Sequence, residues 1–143
     1  MTAEDRYDAG AVADYRAQVE GQVAAWDQLY AELSTDTTPG VDALASFEPT
    51  YFAALVQGLE LRFVNRSRSV EGKDGNPLNE VRLLAASIAG NDGRLLADAR
   101  LGLDPARSVL GLAPGDDIVL RRDDFVRLAG AFFREIEARY VRS

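Results

Sequence analysis

The chain of 143 residues has no cysteine and no histidine, and only one methionine, one tryptophan and one lysine, Lys73. Without cysteine there is no disulfide, no thiolate nucleophile and no thiolate metal site. Without histidine the usual acid–base group near neutral pH is missing, and so is the commonest metal ligand. Catalysis would fall to carboxylates, Lys73, tyrosines, arginines or a bound cofactor. No metal site and no cofactor is expected, and no residue is assigned as catalytic. No run of 18 apolar residues occurs, so no membrane span is expected. The start, MTAEDRYDAG, is acidic and lacks the apolar stretch of a signal peptide. The expected location is the cytoplasm.

What is present is ordinary for a globular chain: 47% hydrophobic and 27% charged residues. The length fits a single domain, residues 1–143, that needs no staple to hold its core. The net charge is −7 and is unevenly placed. Residues 1–48 hold ten acids and two arginines, a net of −8; the remainder is +1. Bulk electrostatic binding of nucleic acid is therefore not expected.

Periodicity predicts a mainly α fold: a compact helical bundle of three long helices and one shorter helix, with a small β-hairpin before the last helix. Residues 1–8 read as a loose tail. From Ala9 to Leu33 the apolar positions are Val12, Tyr15, Val19, Val23, Trp26, Tyr30 and Leu33, one stripe of a helix that Asp8 can cap. Val12, Val19 and Trp26 repeat every seven residues, which suits a bundle seam or a homodimer through helix one. Ser34–Gly40 reads as a loop, and Val41–Phe47 as a single helical turn. Pro49 suits the first position of the second helix, with Phe47 and Phe52 placed as a hydrophobic staple. That helix is expected to run to Ser69. Asn76-Pro77 starts the third helix, and Gly90 ends it. Ser108–Leu112 and Asp117–Arg121 flank Ala113-Pro114-Gly115-Asp116 and read as the hairpin. Arg122–Val141 is an amphipathic helix whose apolar face holds Phe125, Leu128, Phe132, Phe133, Ile136 and Tyr140.

Known motifs fail on inspection. Gly72-Lys73 is followed by Asp74, and Ser67 stands where a Walker A loop needs glycine. Asp74-Gly75-Asn76 runs into Pro77, which no EF-hand loop tolerates. No G-x-S-x-G is present, and Glu-x-x-His di-iron sites are impossible without histidine. A magnesium-dependent pyrophosphatase needs carboxylates paired three apart on helices; outside the N-terminal part the only such pair is Glu71 and Asp74, which straddles Gly72 and abuts Gly75 and so is not on a helix.

One stretch crowds polar residues together: Arg62 to Arg82, RFVNRSRSVEGKDGNPLNEVR. Arg62 and Arg66 share a helix face, Lys73 lies in the Gly-rich loop, and Asn76, Asn79 and Arg82 sit at the start of the next helix. As a function this is a candidate anion site of Arg62, Arg66, Lys73, Asn76, Asn79 and Arg82, fit for a carboxylate or phosphate ester. As a structure it is a helix–loop–helix corner. Residues 60–82 carry five bases and four acids, so the charges can neutralise one another.

The run EGKDGNPLNEVR and the ending DDFVRLAGAFFREIEARY resemble a family of uncharacterised proteins of GC-rich actinobacterial genomes, over residues 47–142. The resemblance implies no activity. The sequence thus supports a cytoplasmic binding or interaction module. The alternatives are a small anionic-ligand-binding protein or enzyme using the Arg62–Arg82 corner, and an acidic partner or inhibitor docking through helix one.

Overall fold

The structure, a computed structural model, describes residues 2–34 and 39–141. It is mainly helical: α1 (Ala9–Ser34), α2 (Pro39–Arg62), the single turn α3 (Arg68–Glu71), α4 (Pro77–Gly90) and α5 (Arg122–Tyr140), with a 3-10 turn at Ala99–Leu101. No helix among the described residues is long and apolar enough to cross a membrane. Of the loop read at Ser34–Gly40, Ser34 closes α1, Pro39 and Gly40 open α2, and residues 35–38 lie outside the described residues.

α1, α2, α4 and α5 pack around one hydrophobic cluster. Trp26 of α1 meets Phe52 of α2 edge-on at 5.3 Å, and Phe52 meets Phe125 of α5 at 5.5 Å. At the other end Phe63 touches Tyr7, Tyr15, Phe132 and Phe133. Val12, Val19 and Trp26 are each at most 4% exposed. Their heptad stripe is covered by the chain's own helices, so a dimer built on those three side chains would require the bundle to open.

Three boundaries differ from the sequence expectation. First, α2 runs through Pro49 instead of starting there, which removes the staple arrangement of Phe47 and Phe52. Proline at this position leaves the Ala45 carbonyl without its helical donor. Arg121 Nη1 supplies one at 3.2 Å. Glu48 beside it accepts from the backbone N–H of Arg122 at 2.7 Å, satisfying a free donor at the start of α5. The interruption thus becomes the joint between α2 and α5.

Second, α2 stops at Arg62, not Ser69. Residues 65–67 bond instead to the segment before α1, at Glu4. Glu4 N donates to Asn65 O and Ser67 N to Glu4 O, each at 2.8 Å, and Tyr7 N reaches Tyr140 O. Third, the hairpin does not form, and no strand is present among the described residues. Pro114-Gly115 does turn, with Gly115 at φ 90°. But residues 115–118 bond to Gly93 and Leu95 across the Asn91–Gly93 turn, with one isolated bridge at Arg94 and Asp117. The other expected strand, 108–112, is held by a buried carboxylate described below.

Candidate functional site

The 62–82 stretch folds as a corner because two local signals agree. Gly72 and Gly75 both take φ 77°, a conformation that costs other residues most. Asn76 then caps α4: its side-chain oxygen accepts from Leu78 N at 2.8 Å and Asn79 N at 3.2 Å. Asn79 returns the contact, accepting from Asn76 N and Gly75 N. This is a capping box, with an asparagine in the place of the usual glutamate.

Glu71 lies at the centre of the corner and is fully buried. Its Oε1 accepts from Arg66 Nε at 2.8 Å and Arg82 Nη2 at 2.6 Å; its Oε2 accepts from Asn79 Nδ2 at 2.7 Å and Arg82 Nε at 3.1 Å. Arg66 is 2% exposed. It also donates to Glu60 at 2.9 Å and to the carbonyls of Phe63 and Leu78. Glu60 closes the circuit by pairing with Arg82 at 3.6 Å. Burial pushes the Glu71 carboxyl up, but the hydrogen bond from Arg82, the charges of Arg66 and Arg82 and the bond from Asn79 outweigh it and hold the group below its ordinary value. Burial also pushes the phenols of Tyr7 and Tyr140, which flank the corner, up to about 12. Tyr140 OH donates to Ser67 O at 2.7 Å, and Arg139 reaches the Glu71 carbonyl, so α5 holds the corner from behind.

Of the six residues singled out in the sequence, the structure brings Arg66, Asn76, Asn79 and Arg82 together, and what they surround is Glu71. Arg62 and Lys73 lie outside this set. Arg62 is exposed and stacks over the Tyr15 ring at 5.6 Å, and Lys73 is exposed on the loop. Among the described residues no carboxylate lies within ion-pair distance of Arg62, Arg68 or Lys73. The sequence signal for Glu71 as the acceptor was the near balance of charge in residues 60–82. Nothing in the sequence marked the part played by Tyr140. Beside the corner is an open concavity of about 220 Å³ lined by Thr2, Ala3, Val64, Asn65, Arg66, Arg68 and Arg82.

A second buried carboxylate, Glu80, faces away from this network. It accepts from Val109 N and Leu110 N, both at 2.9 Å, and so holds the 104–112 loop on α4. Burial raises its pKa, against the lowering effect of the two N–H donors and of Arg127. Arg127 ties the same loop to α5 through the Val109 carbonyl. No buried side-chain nitrogen or oxygen among the described residues is left without a partner. A third feature is a groove of about 290 Å³ between α1 and α5, floored by Val19, Val23, Ala129 and Phe133 and closed at its ends by Arg16 and Arg122. Those two arginines pair with Glu137 and Asp27.

Comparison with family models, with curated proteins and with solved structures finds no match to the chain.

Proposed function

We propose that the chain is a binding or interaction module without catalytic activity, working in the cytoplasm. The observation that carries this reading is the closed Glu60–Arg66–Glu71–Arg82 circuit: four of the six polar residues that drew attention in the sequence, Arg66, Asn76, Asn79 and Arg82, are engaged within the corner. A buried arginine with four acceptors and a carboxylate with four donors supply the corner's rigidity and keep few contacts for a ligand. The test is a thermal-shift screen against inorganic phosphate, carboxylates and nucleotides, on the native chain and on Arg62→Ala and Arg68→Ala variants. The module reading expects no saturable shift. A saturable shift abolished by either substitution overturns it.

A second reading, a small anionic-ligand-binding protein, is favoured by one observation. Arg68, with which no carboxylate among the described residues pairs, lines the same concavity as the partly exposed Arg82. The third reading, an acidic partner docking through helix one, has the exposed acids Asp14 and Glu20 of α1 in its favour. It needs contacts other than Val12, Val19 and Trp26.

A further inference from the structure

α2 has an outer face unlike the rest of this acidic molecule. From Pro49 to Leu59 its sequence, PTYFAALVQGL, holds no charged residue. Thr50, Ala54, Gln57 and Leu61 follow one another at intervals of 4, 3 and 4, so they form one stripe on the helix surface. Thr50, Ala54 and Leu61 are exposed, and Leu61, at 73%, is the most exposed large hydrophobic side chain among the described residues. The two acids that border the stretch point elsewhere: Glu48 turns to Arg121 and Arg122, and Glu60 to Arg66 and Arg82. Beside the stripe lies a shallow hollow of about 410 Å³, lined by Pro49, Thr50, Ala53, Ala54, Ile88 and Ile118 among others. Val119, 53% exposed, adjoins it in sequence. The rim carries charges of both signs: Arg62 follows Leu61, Asp92 precedes Gly93 of the hollow, and Arg94 and Asp117 are paired with each other at 3.4 Å. A charge-free apolar centre with a polar, balanced rim is the anatomy of a protein interface.

Resting on the interaction-module reading, we propose that this face joins two copies of the chain, with Leu61 of each seated in the hollow of the other. The knob at Leu61 and the hollow at Thr50 and Ala54, both on one face of α2, select this occupant, and charge permits it. A chain of net charge −7 repels its own copy over most of its surface and meets it at least cost where acids are missing. A basic foreign partner is drawn to the acidic α1 instead. Spacing agrees. A twofold axis passing α2 between Leu55 and Val56 sets the helices antiparallel, with Leu61 against Thr50 and Gln57 against Ala54. The protruding leucine then meets the hollow, and the same contact repeats by symmetry, as a closed isologous interface requires. Small side chains at Ala53 and Ala54 let the two helices approach closely.

The test uses the intact chain. Sedimentation equilibrium at about 50 μM, where a dimer of micromolar Kd is mostly assembled, is expected to give twice the 15.5 kDa mass of the chain. Ala54→Glu, at an exposed position, is expected to keep the helical circular dichroism while weakening association at least ~30-fold, since it brings two like charges close to the twofold axis inside the contact. Ala24→Glu in the α1–α5 groove is expected to leave the mass doubled. Because the chain has no cysteine, a Thr50→Cys, Leu61→Cys double variant gives a clean reading. The two sulfurs stand about 16 Å apart along one helix, beyond disulfide reach, so any bond formed on oxidation joins two copies. A disulfide-linked dimer supports the proposal. A monomeric native chain overturns it and leaves the face to a different occupant, with the module reading still to be judged by the ligand screen. A dimer that survives Ala54→Glu and does not cross-link also overturns it, because the copies then meet elsewhere.

Discussion

At the scale of single residues, the two buried glutamates of the corner make opposite demands. Glu71 has its carboxyl held below the ordinary value, by donors that exceed the cost of burial. Its contribution to stability is therefore complete above the unfolded carboxylate value and is lost as pH falls through the lower folded one. Glu80 has its carboxyl raised by burial. The native state takes up this proton first, so stability from Glu80 is greatest below the unfolded value and declines as pH rises through the folded one. Glu71→Gln leaves Arg66 buried with half its neutralising charge removed, and breaking a buried pair costs about 3–5 kcal/mol. Glu80→Gln keeps one acceptor for two N–H donors and costs about 1–3 kcal/mol. Urea unfolding between pH 3.5 and 7 checks both. The expected outcome is a larger loss at neutral pH for Glu71→Gln, together with a weaker fall of stability on acidification than in the native chain. An equal loss in the two variants would show that the circuit is not the main support of the corner. The sequence made the members of this circuit visible, because Arg66, Glu71, Asn79 and Arg82 all stand in one polar stretch and Glu60 lies just before it. It could not show their pairing. Whether Arg66 points to solvent or to Glu71 depends on the chain turning at residues 63–65, and that turn is set by a bond to Glu4, some sixty positions away in sequence.

At the scale of elements, the same division holds. α1, α4 and α5 were legible because each carries its own periodic stripe, and α1 and α4 their own caps, Asp8 and Asn76. The misread elements are those whose backbone partners are distant. Pro49 reads locally as a helix start, yet α2 passes through it because Arg121 replaces the missing donor. The segment 108–112 reads as a strand, yet Glu80 takes the N–H groups of Val109 and Leu110, while those of Ser108 and Gly111 bond within the loop to Asp104 and Ser108. Each gives a measurement. Pro49→Ala restores an N–H to the Ala45 carbonyl and removes an interior proline, a cost of about 3 kcal/mol in an uninterrupted helix. Part of that is already relieved by Arg121, and proline also restricts the unfolded chain by about 0.4–1 kcal/mol. A gain of about 1–2 kcal/mol in urea unfolding, at fixed chain concentration, is expected; a loss would mean that the proline is needed for the joint with α5. For the loop, Glu80→Gln is expected to raise amide exchange at Val109 and Leu110 well above that of α4, whose own ladder does not use this carboxylate. Exchange that rises equally in loop and helix would show that Glu80 supports α4 as a whole rather than fastening the loop.

At the scale of the whole molecule, the question is whether the long helices stand or fall together. α1 is the element with most reason to separate: it carries much of the acidic surplus, and its outer rows are exposed. Against that, its inner row is built into the same core as the rest. Trp26 packs on Phe52, and Phe52 on Phe125, so three helices share one line of rings. At the far end Tyr15 of α1 meets Phe63 and Phe133, while the N-terminal segment before α1 bonds to both Asn65 and Tyr140. Detaching α1 would uncover Phe52, Phe63 and Phe133 at once, each now at most 2% exposed. Uncovering large side chains costs about 1.5–3 kcal/mol each, and the three together, about 5–9 kcal/mol, are comparable to the whole stability of a domain this size. One cooperative transition is therefore expected. Trp26 is the only tryptophan and is 4% exposed, so its fluorescence reports α1 docking specifically, whereas far-UV circular dichroism reports all the helices. The two signals are expected to give the same urea midpoint and slope. A fluorescence transition that precedes the loss of helix would show α1 leaving an intact core of α2, α4 and α5, and the rings that join them would then not act as one unit.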